Sequence, residues 1–286
     1  LTEVTNVGSW GELISREFNV TTNLSLIVGS WKTFSDEKKW LYFIALKMYG
    51  AGESWCLNEA VNHAENMNSL LKQIYRSILS VNYHSADFWG KYNERKELIE
   101  AFGRSEDEVI DFLQMVRSKQ ENAIYYLTDG NLMEKERMLE LLDEYGEKMK
   151  RTEVIEIISH VYPALYDYLQ PYRFQNESLN NYFQDYKYQK VINKIFPEFM
   201  DIVEKQAKDR EFNRWLSPRS EKIEELNKMG ARLYFVDAMG VEYLSYILAR
   251  CKEYNLMADI QICRCELPSI TKLNKEFLES LSEVAP

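Results

Sequence analysis

Asp237 and Thr271 are the residues of this sequence whose types and surroundings could do chemistry. Asp237 closes the apolar run Leu233-Tyr234-Phe235-Val236 and stands just ahead of Gly240. Thr271 closes the turn Glu266-Leu267-Pro268-Ser269-Ile270. The C-terminal ends of neighbouring parallel strands share one sheet edge, where α/β folds hold their ligands. A carboxylate at that edge can bind a divalent cation, and the cation lowers the pKa of a hydroxyl bound beside it. At the start of a helix, Thr271 would gain further from the positive end of the dipole. These are the parts of an activated nucleophile for phosphoryl chemistry. Asn274, one turn on, could donate to a phosphoryl oxygen. A structural alternative stands beside this one: Asp237 caps helix 241–254 and Thr271 caps helix 272–281, since both residue types are ordinary N-caps.

The elements that must position these residues lie after Gly230. A strand over 232–236, a helix over 241–254 and a strand over 258–264 make a βαβ unit with a right-handed crossover and parallel strands. A further helix begins at Leu273. Two strands cannot cover both faces of a doubly wound sheet, so the α/β domain is expected to continue beyond Pro286. The chain opens at Leu1 rather than Met, and the natural N-terminus is expected upstream.

Before residue 230 the punctuation is helical. Ser35 starts a helix that Gly50 and Gly52 stop. Ser54 can cap a long helix through Leu79, and Ser85 another through Phe102 to Gly103. Ser105-Glu106-Asp107-Glu108 has capping-box spacing ahead of a helix carrying Val109, Phe112, Leu113, Val116 and Ile124 and ending near Asp129-Gly130. Asn131-Leu132-Met133-Glu134 repeats the device. Helical patterns follow at 153–169, kinked by Pro163, and at 178–195, 197–213 and 218–228, with Pro197 in a first turn. The tyrosines and phenylalanines from Tyr162 to Tyr188 fall at helical spacing and read as a core with its amphipathic rim. Arg173, Lys187 and Lys190 among them also permit a surface that stacks bases.

Composition narrows the class. At 286 residues, 45% hydrophobic and 28% charged, the chain has ample material for a globular core. A formal net charge of −10 argues against a general phosphate-binding surface. No apolar run reaches bilayer-spanning length, and Leu1–Val20 has no secretory pattern, so a cytoplasmic location is expected. Cys56, Cys251, Cys263 and Cys265 are too few for a disulfide scaffold and read as free thiols. Cys263 and Cys265 share a strand face, but two thiolates without a second pair are a weak zinc signal. His63, His84 and His160 are too scattered for a ligand set. The three glycosylation-type triplets, at Asn19, Asn23 and Asn176, are chance matches in a chain without a secretion signal.

The runs Leu233-Tyr-Phe-Val-Asp-Ala-Met-Gly-Val-Glu-Tyr-Leu244 and Glu266-Leu-Pro-Ser-Ile-Thr-Lys-Leu-Asn274 resemble the opening of a PglZ domain. That family belongs to the alkaline phosphatase superfamily and occurs in BREX phage-defence systems. The resemblance implies that Asp237 binds a catalytic divalent metal, Zn or Mg/Mn. It implies that Thr271 is the metal-bound nucleophile and that Asn274 contacts phosphate. Glu242 looks like a family feature without an assigned role. The superfamily's other metal ligands would lie beyond Pro286, so this stretch alone should bind metal poorly and be inactive.

The expectation is therefore a mainly α chain. A multi-helical domain over 1–230 precedes the first βαβ unit of an alkaline-phosphatase-like domain over 231–286. The expected function is a cytoplasmic anti-phage component that, at full length, hydrolyses a phosphate ester or phosphodiester with other defence proteins as partners. The alternative is a non-catalytic helical scaffold that binds other defence subunits or nucleic acid.

Overall fold

A computed structural model describes residues 6–19, 23–232, 234, 236 and 239–265. The chain is mainly helical and divides into two compact units, Leu1–Pro163 and Ala164–Pro286.

The first unit contains α1 (Trp10–Phe18), α2 (Asp36–Tyr49), α3 (Trp55–His63), α4 (Leu70–Ser77), α5 (Phe88–Phe102), α6 (Glu106–Val116), α7 (Leu132–Tyr145) and α8 (Arg151–Val161). Short 3-10 segments at Leu24–Thr33, Met67–Ser69, Ile78–Ser80 and Arg117–Tyr126 join them. Local chemistry sets many of the boundaries. The side chains of Ser35, Ser54 and Asn131 accept from backbone N–H groups of the first turns of α2, α3 and α7. Gly50 and Gly103, at φ +76° and +100°, end α2 and α5 in conformations that favour glycine. The core is rich in tyrosine, and three of its buried hydroxyls find a carbonyl. Tyr42 donates to Leu24 O and Tyr92 to Leu127 O, both at 2.6 Å, and Tyr126 donates to Val81 O at 2.9 Å.

Several boundaries differ from the periodic reading. Ser54 caps a helix that stops at His63 rather than Leu79. Ala64 turns extended, and Asn66 and Ser69 form a reciprocal capping box that restarts the chain. Ser85 bonds to Asn82 O instead of capping α5. Ser105 occupies the N-cap of α6 without a side-chain capping bond. The helix that begins there ends at Val116, and Gln120, at φ 52° and ψ −129°, breaks the segment beyond. Pro163 separates α8 from the next helix outright, because the residue before proline is pushed from the helical region and Tyr162 sits at φ −144°, ψ 73°.

The second unit contains α9 (Pro163–Leu169, from Ala164 onward), α10 (Glu177–Val191), α11 (Pro197–Asp209, with Pro197 in its first turn), α12 (Glu211–Trp215), α13 (Arg219–Lys228) and α14 (Leu244–Glu253). A 3-10 turn at Val241–Tyr243 leads into α14, so the helix expected over 241–254 is present. The flanking strands are not seen among the described residues. Among the described residues no strand forms, and an isolated parallel bridge joins Pro218 to Arg264. The expected βαβ unit is therefore not seen there. A strand needs a paired neighbour and a covered apolar face, and Tyr234 and Val236 are instead 79% and 58% exposed.

Candidate functional site

Asp237, Thr271 and Asn274 lie outside the described residues. The described residues that follow Asp237 include the 3-10 turn Val241–Tyr243 and α14, and these are tied into their own unit. Arg250 donates to Asp167 Oδ2 at 2.5 Å, and Ser245 Oγ donates to Gln170 O at 2.6 Å. Gln170 O also accepts from the buried Lys187 ammonium at 2.5 Å. One carbonyl at the end of α9 thus joins α10 and α14.

Glu242 completes this clasp. Its carboxylate lies 3.5 Å from Lys190 Nζ and folds back over Gly240, where an added Cβ would collide with it. A side chain at 240 would have to displace that carboxylate. Lys190 Nζ also sits over the rings of Tyr186 and Tyr243 at 5.5 and 5.7 Å. Burial acts to lower the Lys190 pKa, but Tyr186, Tyr243 and Glu242 outweigh it and the pKa is raised. A small cleft opens beside the clasp, lined in part by Phe174, Asn180, Phe183, Lys187 and Glu242. Two of the three cations noted along the aromatic stretch are thus engaged inside the unit: Lys187 by Gln170, Lys190 by Glu242.

The first unit holds a buried polar centre that periodicity did not reveal. Arg95 and Glu134 are fully enclosed. Arg95 donates to Tyr75 O at 3.1 Å and to Tyr126 O at 2.7 Å, and its guanidinium lies 5.0 Å from the Phe112 ring. Glu134 accepts from Thr128 N at 2.7 Å and Asn131 Nδ2 at 2.6 Å. Burial raises the Glu134 pKa, with Arg95 and these donors opposing the shift. The Asn131 capping box was legible and its cap bond forms. The Glu134 carboxylate, however, turns to the Thr128 backbone, which no local pattern announces. Cys56 is also buried, its thiol pushed up to about 12 by desolvation, which makes it a poor nucleophile.

Among the described residues no group of three or more His, Cys, Asp or Glu is placed to hold a metal ion. Cys251, Cys263 and Cys265 are free and partly exposed. None of the helices, over the described residues, is long and apolar enough to cross a membrane. A family described as Domain of unknown function (DUF7863) matches residues 1–145, which is 145 of the 286 residues. No curated protein and no solved structure matches the chain.

Proposed function

Taking as premise that the chain belongs to the DUF7863 family, we propose that it is the N-terminal portion of a PglZ-domain protein of phage defence. At full length that protein is a cytoplasmic, metal-dependent hydrolase of a phosphate ester or phosphodiester. The observation that carries this reading is the run 233–244, an apolar stretch ending in Asp237 and Gly240 that leads into the helical segment Val241–Glu253. In it Asp237 and Thr271 hold a divalent cation and Asn274 contacts phosphate. The bound cation, Zn or Mg/Mn, supplies Lewis acidity, and this chain supplies the hydroxyl that attacks. Residues 231–286 then form the first βαβ portion of an alkaline-phosphatase-like domain.

The full-length protein, assayed on a phosphomonoester and a phosphodiester with Zn²⁺, Mg²⁺ or Mn²⁺, tests this. We expect Asp237→Ala and Thr271→Ala each to lower kcat by at least about a hundredfold, the scale of losing an activated nucleophile or its metal. Turnover equal to that of the parent in both variants would remove the catalytic reading.

A second reading is a helical module that binds other defence proteins. It rests on the buried helical core of the first unit, which no step of the phosphoryl reading uses. With Lys187 and Lys190 engaged within the unit, a protein partner suits this reading better than nucleic acid.

A further inference from the structure

The first unit carries a row of mostly half-buried aromatic rings at the edge of its core. Phe88, at the start of α5, is fully buried, and the adjacent Trp89 turns outward and is only half-buried. Trp89 stacks on His160 of α8, with ring centroids 3.9 Å apart and planes 13° apart. On its other flank Trp89 meets Tyr125 at 6.3 Å, Tyr125 stacks on Tyr83 at 4.2 Å, and Tyr83 meets the exposed His84 at 4.1 Å. The backbone behind is pinned, since Tyr126 donates to Val81 O at 2.9 Å between the buried residues of both segments. The rings are thus held in place before any partner arrives, and little side-chain entropy remains to be lost on contact.

Two carboxylates stand beside the row. Glu153 and Glu156 are exposed on α8, one turn apart, and Tyr125 Oη donates to Glu153 Oε1 at 3.4 Å. Burial, then Glu153, Tyr83 and Glu156, push the Tyr125 phenol up to about 12. Two lysines of the same region are committed elsewhere. Lys91 pairs with Asp87 at 2.7 Å and covers the Trp55 ring, and Lys119 donates to Leu79 O. Rings next to carboxylates suit guanidinium and ammonium groups, which stack on the one and pair with the other. The same charges repel a phosphate backbone.

We propose that the row formed by Tyr83, His84, Trp89, Tyr125 and His160, with Glu153 and Glu156, is a docking surface for an arginine- or lysine-rich segment of a partner protein. Tryptophan and tyrosine are the side chains that most often dominate such contacts, and the acidic pair fixes the sign of the partner. This surface stands independently of the phosphoryl-transfer reading.

Calorimetric titration of the chain with a nona-arginine peptide tests it, with an oligothymidylate as the opposite-charge arm. Saturable binding of the peptide is expected. Tyr83→Ala, and separately the Glu153→Gln/Glu156→Gln pair, should each weaken it about tenfold or more. Tyr83→Phe should bind as the parent does, and so should Glu140→Gln/Glu144→Gln, which removes the same charge from α7. Should Tyr83→Ala fail to fold, as read by circular dichroism, the Glu153/Glu156 pair decides. Absent binding, an equal loss in the α7 control, unchanged affinity in the Glu153/Glu156 variant, or preferential binding of the oligothymidylate would each overturn the proposal.

Discussion

Glu134 shows what one enclosed side chain does for this chain. Its carboxylate satisfies the Thr128 N–H and the Asn131 amide, and it shares the interior with the Arg95 cation. Glu134→Ala leaves those donors unpaired, so we expect a loss of about 3 kcal/mol in urea unfolding. The pH dependence has a definite sign. Burial raises the folded pKa, so the folded state holds the proton more tightly than the unfolded chain does. The contribution of this group is then fully present below the ordinary carboxylate range and is lost as pH rises through the raised value. Urea midpoints measured from acid to neutral pH should show that loss in the parent, and Glu134→Gln, which cannot ionise, should lack it.

At the scale of the element, caps explain the helix starts and backbone strain explains one break. Gln120 is exposed and sits at φ 52°, ψ −129°, a region that glycine enters without penalty and other residues do not. Gln120→Gly removes a steric cost and deletes no buried contact. We expect a gain of about 1 kcal/mol, seen as a higher Tm in a thermal melt. A decrease would show that the glutamine makes a contact worth more than its strain. The same segment shows why the helix from Ser105 was over-extended. Val109, Phe112, Val116 and Ile124 are all buried as their spacing requires, but their shared burial does not need one continuous helix. A 3-10 path with a sharp turn serves equally well, and apolar spacing alone cannot separate the two. Ser54 to Leu79 fails in the same way. Asn66, followed three residues later by Ser69, was the local mark of a new start.

Across the whole molecule the two units differ in how they are stabilised. The first encloses large side chains such as Tyr42, Tyr75, Phe88, Arg95 and Phe112. In the second, none of the described residues from 193 to 265 is buried, although α11 to α14 fall there. Helices this short are marginal without tertiary support. Amide hydrogen exchange should therefore be slow in α4 and α5 and faster by orders of magnitude in α11 to α13. Equal protection across both units would contradict that difference in burial.

The sequence by itself determined the helical character of the chain, the positions of Ser35, Asn131, Pro197, Gly50 and Gly103 at helix ends, and the helix that follows Gly240. These are local matters, decided by side chains within a few residues of the backbone groups they satisfy or strain. Only the tertiary structure decided that Arg95 and Glu134 share the interior, that Lys190 answers Glu242, and that Trp89 stacks on His160. The partners in those pairs stand 39, 52 and 71 positions apart in the sequence, and no spacing rule reaches that far. The expected strands are not seen among the described residues, and a β-strand exists only through a neighbour that the residues 232–236 and 258–264 cannot specify alone.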